Sequence, residues 1–169
     1  MKIKDIKKAA GAAKFCLGHR RICGALLGAG AFAADQLFKG SVELQPPEAF
    51  PHDVVKDRVE FERMYNDGLV MGAMKDRRDI VAAAPVAAAA VSLLYTATRD
   101  EKDTAGIIGG SLITGGALSN IYDRRKKGCV VDYIHVKKGP LSRIVFNLAD
   151  LFIALGAVIS ISGIKPRGK

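Results

Sequence analysis

Tryptophan is absent from this chain, and cysteine and histidine are scarce, with three of each in 169 residues. The cysteines, Cys16, Cys23 and Cys129, are odd in number and lack metal-ligand spacing, so neither a disulfide framework nor a bound metal is expected. Cys16 and Cys23 fall near or within the first apolar block, where a thiol behaves as a small hydrophobe. His19, His52 and His135 form no catalytic pattern and read as loop or interface residues. No zinc-finger, RNP or helix-turn-helix signature accompanies the net charge of +9, which argues against a nucleic-acid partner. The Lys and Arg residues lie beside apolar blocks rather than along one stripe, which fits attraction to anionic lipid head groups.

Charge itself is missing from two long stretches, residues 80–97 and 105–122. Helices of a soluble bundle carry charges at helical intervals on their outer faces, and a chain of this length is too short to bury several all-apolar helices in water. Four apolar blocks, at residues 22–38, 80–97, 104–122 and 144–164, approach the roughly 20 residues that cross the hydrocarbon core. The expected fold is an all-α membrane protein with four transmembrane helices, one domain over residues 1–169. The basic residues 1–21 before the first block imitate a secretory signal peptide. The block is longer than such a segment needs, however, and ends in Asp35 and Lys39 rather than at a small-residue cleavage site, so it reads as a retained helix.

Glycines in the first and third blocks, Gly24, Gly28 and Gly30 and then Gly106, Gly110, Gly115 and Gly116, would let helices approach closely in lipid. Four crossings put both termini on one side. Basic residues at both ends of the chain favour the cytoplasm for them, although the loop from 123 to 143 is also rich in Lys and Arg. Between the first two blocks, residues 59–65 partly alternate and precede Asn66-Asp67-Gly68, a strong turn former, so a small extracellular β-rich structure is expected there.

The third and fourth blocks each carry Asn-x-x-Asp: Asn120-Ile121-Tyr122-Asp123 and Asn147-Leu148-Ala149-Asp150. Residues i and i+3 share a helix face, so each helix would present an Asn beside an Asp. In an antiparallel pair the two aspartates reach the same depth, near the outer surface. An ionisable side chain at that depth is a functional candidate. Two close carboxylates share one proton, as in aspartic proteases. The charged one can take a proton from water while the protonated one polarises a peptide carbonyl. Asn120 and Asn147 would orient the pair or the substrate.

These segments resemble the signatures of the signal peptidase II family. Gly115-Gly116-Ala117-Leu118-Ser119-Asn120-Ile121-Tyr122-Asp123-Arg124 with Gly128-Cys129-Val130-Val131-Asp132-Tyr133-Ile134 is similar to one family block, and Phe146-Asn147-Leu148-Ala149-Asp150 to another. Asp35-Gln36-Leu37-Phe38-Lys39 resembles the family's Asp-Gln-x-x-Lys, and Asn66-Asp67-Gly68 with Gly72 its Asn-x-Gly loop. The resemblance implies catalytic roles for Asp123 and Asp150 and supporting roles for Asn66, Gly68, Asn120, Arg124 and Asn147. Asp35 and Lys39 would serve at the membrane boundary, and Asp132 would hold a loop. It further implies removal of signal peptides from prolipoproteins, just before a diacylglyceryl-modified cysteine, in the bacterial cytoplasmic membrane. Neither cofactor nor metal is implied, and the protein is expected to act as a monomer. Ser119 stands where the family usually has Gly, and Leu69-Val70-Met71 where it favours Ala-Ala-Phe. Two other readings use the same aspartates: a small ion- or proton-translocating protein, and a catalytically silent lipoprotein-binding paralogue.

Overall fold

The computed structural model describes residues 18–68 and 76–163. The basic amino-terminal segment, Cys16, Leu69-Val70-Met71, Gly72 and the basic carboxy-terminal tail lie outside the described residues. Among the described residues there are four long α-helices: α1 (Arg20–Leu44), α2 (Arg78–Thr98), α3 (Thr104–Lys127) and α4 (Leu148–Ser162). Four short strands form one antiparallel sheet in the order β1-β2-β3-β4: β1 (His52–Val55), β2 (Val59–Asn66), β3 (Val130–Val136) and β4 (Val145–Phe146).

α3 is the central helix and packs against each of the other three. This position explains its composition. A helix with neighbours on three sides must be narrow, and α3 buries Gly106, Gly109, Gly110, Gly115 and Gly116 together with Ala117 and Ser119. A Cβ on Gly115 would collide with the Gly28 carbonyl of α1, and one on Gly116 with the Ala149 carbonyl of α4. The same composition lowers the hydropathy of α3. Among the described residues only Asp79–Thr98, with a mean hydropathy of 1.9, is by itself long and apolar enough to cross a membrane, and the apolar part of α4 is shorter.

The helix ends follow from local chemistry. Asp103 caps α3, accepting from the Gly106 N–H at 2.8 Å. Gly128, at φ 79°, ends it in the left-handed conformation that glycine adopts without strain. The last turn, Arg124 to Lys127, places four cations at the negative end of the helix dipole. The fourth helix starts later than the expected residue 144. Asn147 caps it at Leu148 in a reciprocal box with Asp150, and residues 145 and 146 are strand.

The sheet covers the end of the bundle where α1 and α3 finish and α4 begins. Val42, Val131 and Tyr133 form its core against the helices, with Phe50, Phe61 and Leu148 around them. β2 was legible as a strand, but β3 was read as part of a charged loop. Its seven residues, Val130 to Val136, are rich in the β-branched and aromatic types that favour strands. His135 on β3 bonds Glu60 of β2 at 2.9 Å and the Ser142 carbonyl at 3.1 Å, tying the β3–β4 connection to the sheet. That carbonyl, with Glu60 and Glu62, outweighs desolvation and raises the imidazole pKa.

The tight α1–α3 contact is testable. Gly115→Val should lower the thermal unfolding temperature of the purified protein, by overpacking of about 1–3 kcal/mol. Gly30→Ala, where an added Cβ meets nothing within 4 Å, should leave it unchanged or slightly raised.

Candidate active site

Lys39 sits at the centre of the buried polar network, with no exposed side-chain surface. Its ammonium has three donors and three partners: Asp35 Oδ2 at 2.7 Å, Asp123 Oδ2 at 2.9 Å and Asn120 Oδ1 at 2.9 Å. Asp35 and Lys39 are four residues apart on α1, which puts them on one face. Asp123 also accepts from Gln36 at 3.2 Å and the Val131 N–H at 3.4 Å, and pairs with Lys127 at 3.3 Å. It is fully buried.

From this cluster the network extends to the start of α4. The first N–H groups of a helix have no partner within it, and here each is met from elsewhere. Leu148 N–H donates to the Tyr133 hydroxyl at 3.2 Å, Ala149 N–H to Asp35 at 3.1 Å and Asp150 N–H to Asn147 Oδ1 at 3.0 Å. α1, β3 and the Asn147 cap thus fix the position of Asp150 jointly. Ser119 supports Asp35 with a 2.6 Å hydrogen bond and accepts from Gln36 at 2.8 Å.

Two carboxylates lie at the polar end of a 580 Å³ cavity. They are Asp132 of β3 and Asp150 of α4, with Asn66, Asn120 and Arg124 beside them. Asp132 accepts from the Asn66 amide at 2.9 Å and the Asn147 amide at 2.7 Å. Asp150 accepts from the Asn120 amide at 3.0 Å and the Asn147 N–H at 3.3 Å. Asn147 therefore touches both acids, by its side chain and its backbone. Amide donors, not cations, are the partners of this pair. Burial pushes the Asp132 carboxyl up to about 7; the Asn66 amide opposes this and the nearby Asp150 charge adds to it. The remainder of the cavity is apolar, between Ala84, Pro85 and Ala88 of α2, Ile153 of α4, and Ile144 and Phe146.

The expected site residues thus divide into three groups. Asp150, Asn120, Asn147, Asn66, Gly68 and Arg124 converge: Arg124 donates to the Gly68 carbonyl at 2.8 Å, and Gly68 N–H donates to Asn66 Oδ1 at 3.0 Å. Asp35 and Lys39 lie behind them. The two remaining aspartates occupy places that differ from the sequence expectation. Asp123, expected to face Asp150, is held in the Lys39 cluster and does not line the cavity. It is linked to Asp150 indirectly, through Lys39 and Asn120 and again through Val131 and Asn147. Asp132, expected to hold a loop, lines the cavity with Asp150. The spacing of Asn and Asp on single helices does not encode this arrangement, because Asn120 serves an acid on α4 and Asn147 one on β3. Tyr133 and Ser119 were not singled out as site residues. A tyrosine directly after Asp132 in the Val- and Ile-rich run 130–136 was the available signal, since a buried hydroxyl needs a partner.

Known proteins resemble this chain in sequence and in fold. The family model of signal peptidase (SPase) II matches residues 27–164. The lipoprotein signal peptidase of Mesorhizobium japonicum is 36% identical over 136 residues, covering 80% of this chain and 80% of that protein. The lipoprotein signal peptidase of Aquifex aeolicus is 33% identical over 133 residues, covering 76% and 72%. A bacterial membrane enzyme solved by the in meso method at 2.3 Å has the same fold, with a TM-score of 0.76 at 18% identity over 87% of this chain and 93% of that one. The chain belongs to the signal peptidase II family, and is by that membership a protease.

Proposed function

We propose that the protein is an aspartic endopeptidase that removes signal peptides from prolipoproteins, cutting just before the diacylglyceryl-modified cysteine, with Asp132 and Asp150 as the catalytic pair. The observation that carries the choice of residues is the shared cavity. Asp132 and Asp150 both line it, whereas every contact of Asp123 is internal. Asp132, raised by burial, holds the shared proton. Asp150 carries the charge, because it sits in the first turn of α4, where the helix dipole favours an anion, and accepts two amide hydrogen bonds. In the reaction Asp150 takes a proton from water as its oxygen attacks the scissile carbonyl carbon. Asp132 hydrogen-bonds the carbonyl oxygen, and a proton then passes to the leaving amine as the carbon–nitrogen bond breaks. Arg124 lines the cavity beside the two acids, where its guanidinium can donate to a substrate carbonyl. The apolar remainder of the cavity suits a hydrophobic peptide segment.

The chain acts as a single membrane domain of four crossings, a monomer with both termini in the cytoplasm and the acids near the outer face. Large apolar side chains exposed on the outer faces of the helices support the membrane location, among them Leu26, Leu93, Leu94, Leu155 and Val158. The glycine-rich composition of α3 then reflects packing against helices rather than contact with lipid.

Two outcomes test the pair. With a diacylglyceryl-modified prolipoprotein as substrate and the product followed by gel shift, Asp132→Asn and Asp150→Asn should each lower cleavage by about a thousandfold while leaving the protein folded. Asp123→Asn should act mainly by lowering thermal stability. Turnover by Asp132→Asn with none by a folded Asp123→Asn would move the role to Asp123.

The pH dependence has a definite sign. Cleavage should fall as pH rises through about 7, where Asp132 loses its proton, and fall again in acid as its partner gains one. Between about 4 and 7 the folded state binds a proton that the unfolded state has released, so this group makes stability decrease with rising pH over that window. Thermal unfolding at pH 5 and pH 8 should show the decrease in wild type and a smaller one in Asp132→Asn.

A further inference from the structure

On a different face of α3 from the acids lies a second, larger hollow of 790 Å³. It exists because α1 and α2 both pack on α3 and leave a gap between themselves. Its walls are apolar, from Ala25 and Phe32 of α1, Leu93 of α2 and Leu118 of α3. Its floor is low because Gly28 and Gly115 bring the backbones of α1 and α3 together. Tyr122 and Arg125 form the rim at the end of α3 nearer the sheet.

That rim carries charge left over from the rest of the fold. Lys127 pairs with Glu43 and Asp123, and Arg124 reaches Gly68. Arg125 and Lys126 are exposed and, among the described residues, pair with no acid; Lys126 donates only to the Tyr122 hydroxyl, at 2.8 Å. Arg21 at the opposite rim is already engaged by Glu101 and the Arg99 carbonyl. A cationic, aromatic rim above an apolar groove is complementary to a phosphate with acyl chains beneath it. From Ser111 to Arg125 the groove follows α3 for about 20 Å, enough for the roughly 15 Å of one leaflet. A transmembrane helix of that length and about 10–12 Å diameter would fill roughly 2,000 Å³, more than twice the hollow.

We propose that this groove binds an anionic glycerophospholipid, its phosphate on Arg125 and Lys126 and an acyl chain between α1 and α2. This accounts for basic residues on the side where the positive-inside rule does not place them. The proposal rests on the membrane reading given above.

The test is native mass spectrometry of the detergent-purified full chain with equimolar phosphatidylglycerol, phosphatidylcholine and diacylglycerol of identical acyl chains. Phosphatidylglycerol should be retained roughly thirtyfold over diacylglycerol, on the basis of two cations near the head group. Arg125→Gln with Lys126→Gln should erase the preference without changing prolipoprotein cleavage. Leu118→Trp, at a half-exposed position, should displace all three lipids. Equal retention of the three lipids, or a preference that survives the double variant, overturns the proposal. A chain that stays in solution without detergent would instead sink the membrane reading, whereas detergent-dependent protein with no lipid preference sinks this inference alone.

Discussion

One buried ammonium holds the structure together. Lys39 has no exposed side-chain surface and links α1 to α3 through Asp123 and Asn120. Two carboxylates, Asp35 and Asp123, face it directly. Buried charges of this kind are tolerated only as a set, and removing one member of a buried pair costs about 3–5 kcal/mol because the rest are left uncompensated. The charges around Lys39 are completed by hydrogen bonds from Ser119, Gln36, Tyr133 and backbone N–H groups. The network also specifies register, since a slip of one residue along α1 would carry Lys39 and Asp35 together away from Asp123 and Asn120 on α3.

The consequence for function is positional. Asp35 accepts the Ala149 N–H, Tyr133 the Leu148 N–H, and Asn120, itself held by Lys39, donates to Asp150. The first turn of α4 is therefore built from partners on three other elements. A group meant for proton transfer needs this rigidity, because its partner atoms must stay within hydrogen-bond reach. The sheet makes the complementary contribution. β3 follows α3 after one left-handed glycine and carries Asp132 back to the end of the bundle where α4 starts. Asn147, at the junction of β4 and α4, then bonds both acids.

Much of this was legible from residues alone. Apolar blocks gave the four helices, although α1 runs on to Leu44 where the expectation ended at residue 38, and the alternation before the turn at Asn66 gave the strand there. The glycines of α3 pointed to close packing, which the Gly115 and Gly116 contacts supply. β3 was hidden because its flanks are densely charged, so a strand of seven residues looked like part of a loop. The start of α4 was misjudged because Ile144, Val145 and Phe146 are apolar whether they lie in a strand or a helix, and apolar runs do not distinguish the two.

By itself the sequence determined the existence of the four helices, the family and the set of polar residues at one end of the bundle. It did so because periodicity, charge and turn chemistry act over a few neighbouring residues. Only the tertiary structure decided which aspartates share a cavity. Asp123 and Asp132 are nine residues apart, one near the end of α3 and one in β3; the first meets Lys39 from α1 and the second meets Asn66 and Asn147. An opposite charge beside a carboxylate favours its ionised form, whereas burial among amides near a second carboxylate favours the protonated one, which is the basis for proposing Asp132 rather than Asp123 for proton transfer. That difference is made by groups from distant parts of the chain, and no local pattern contains it.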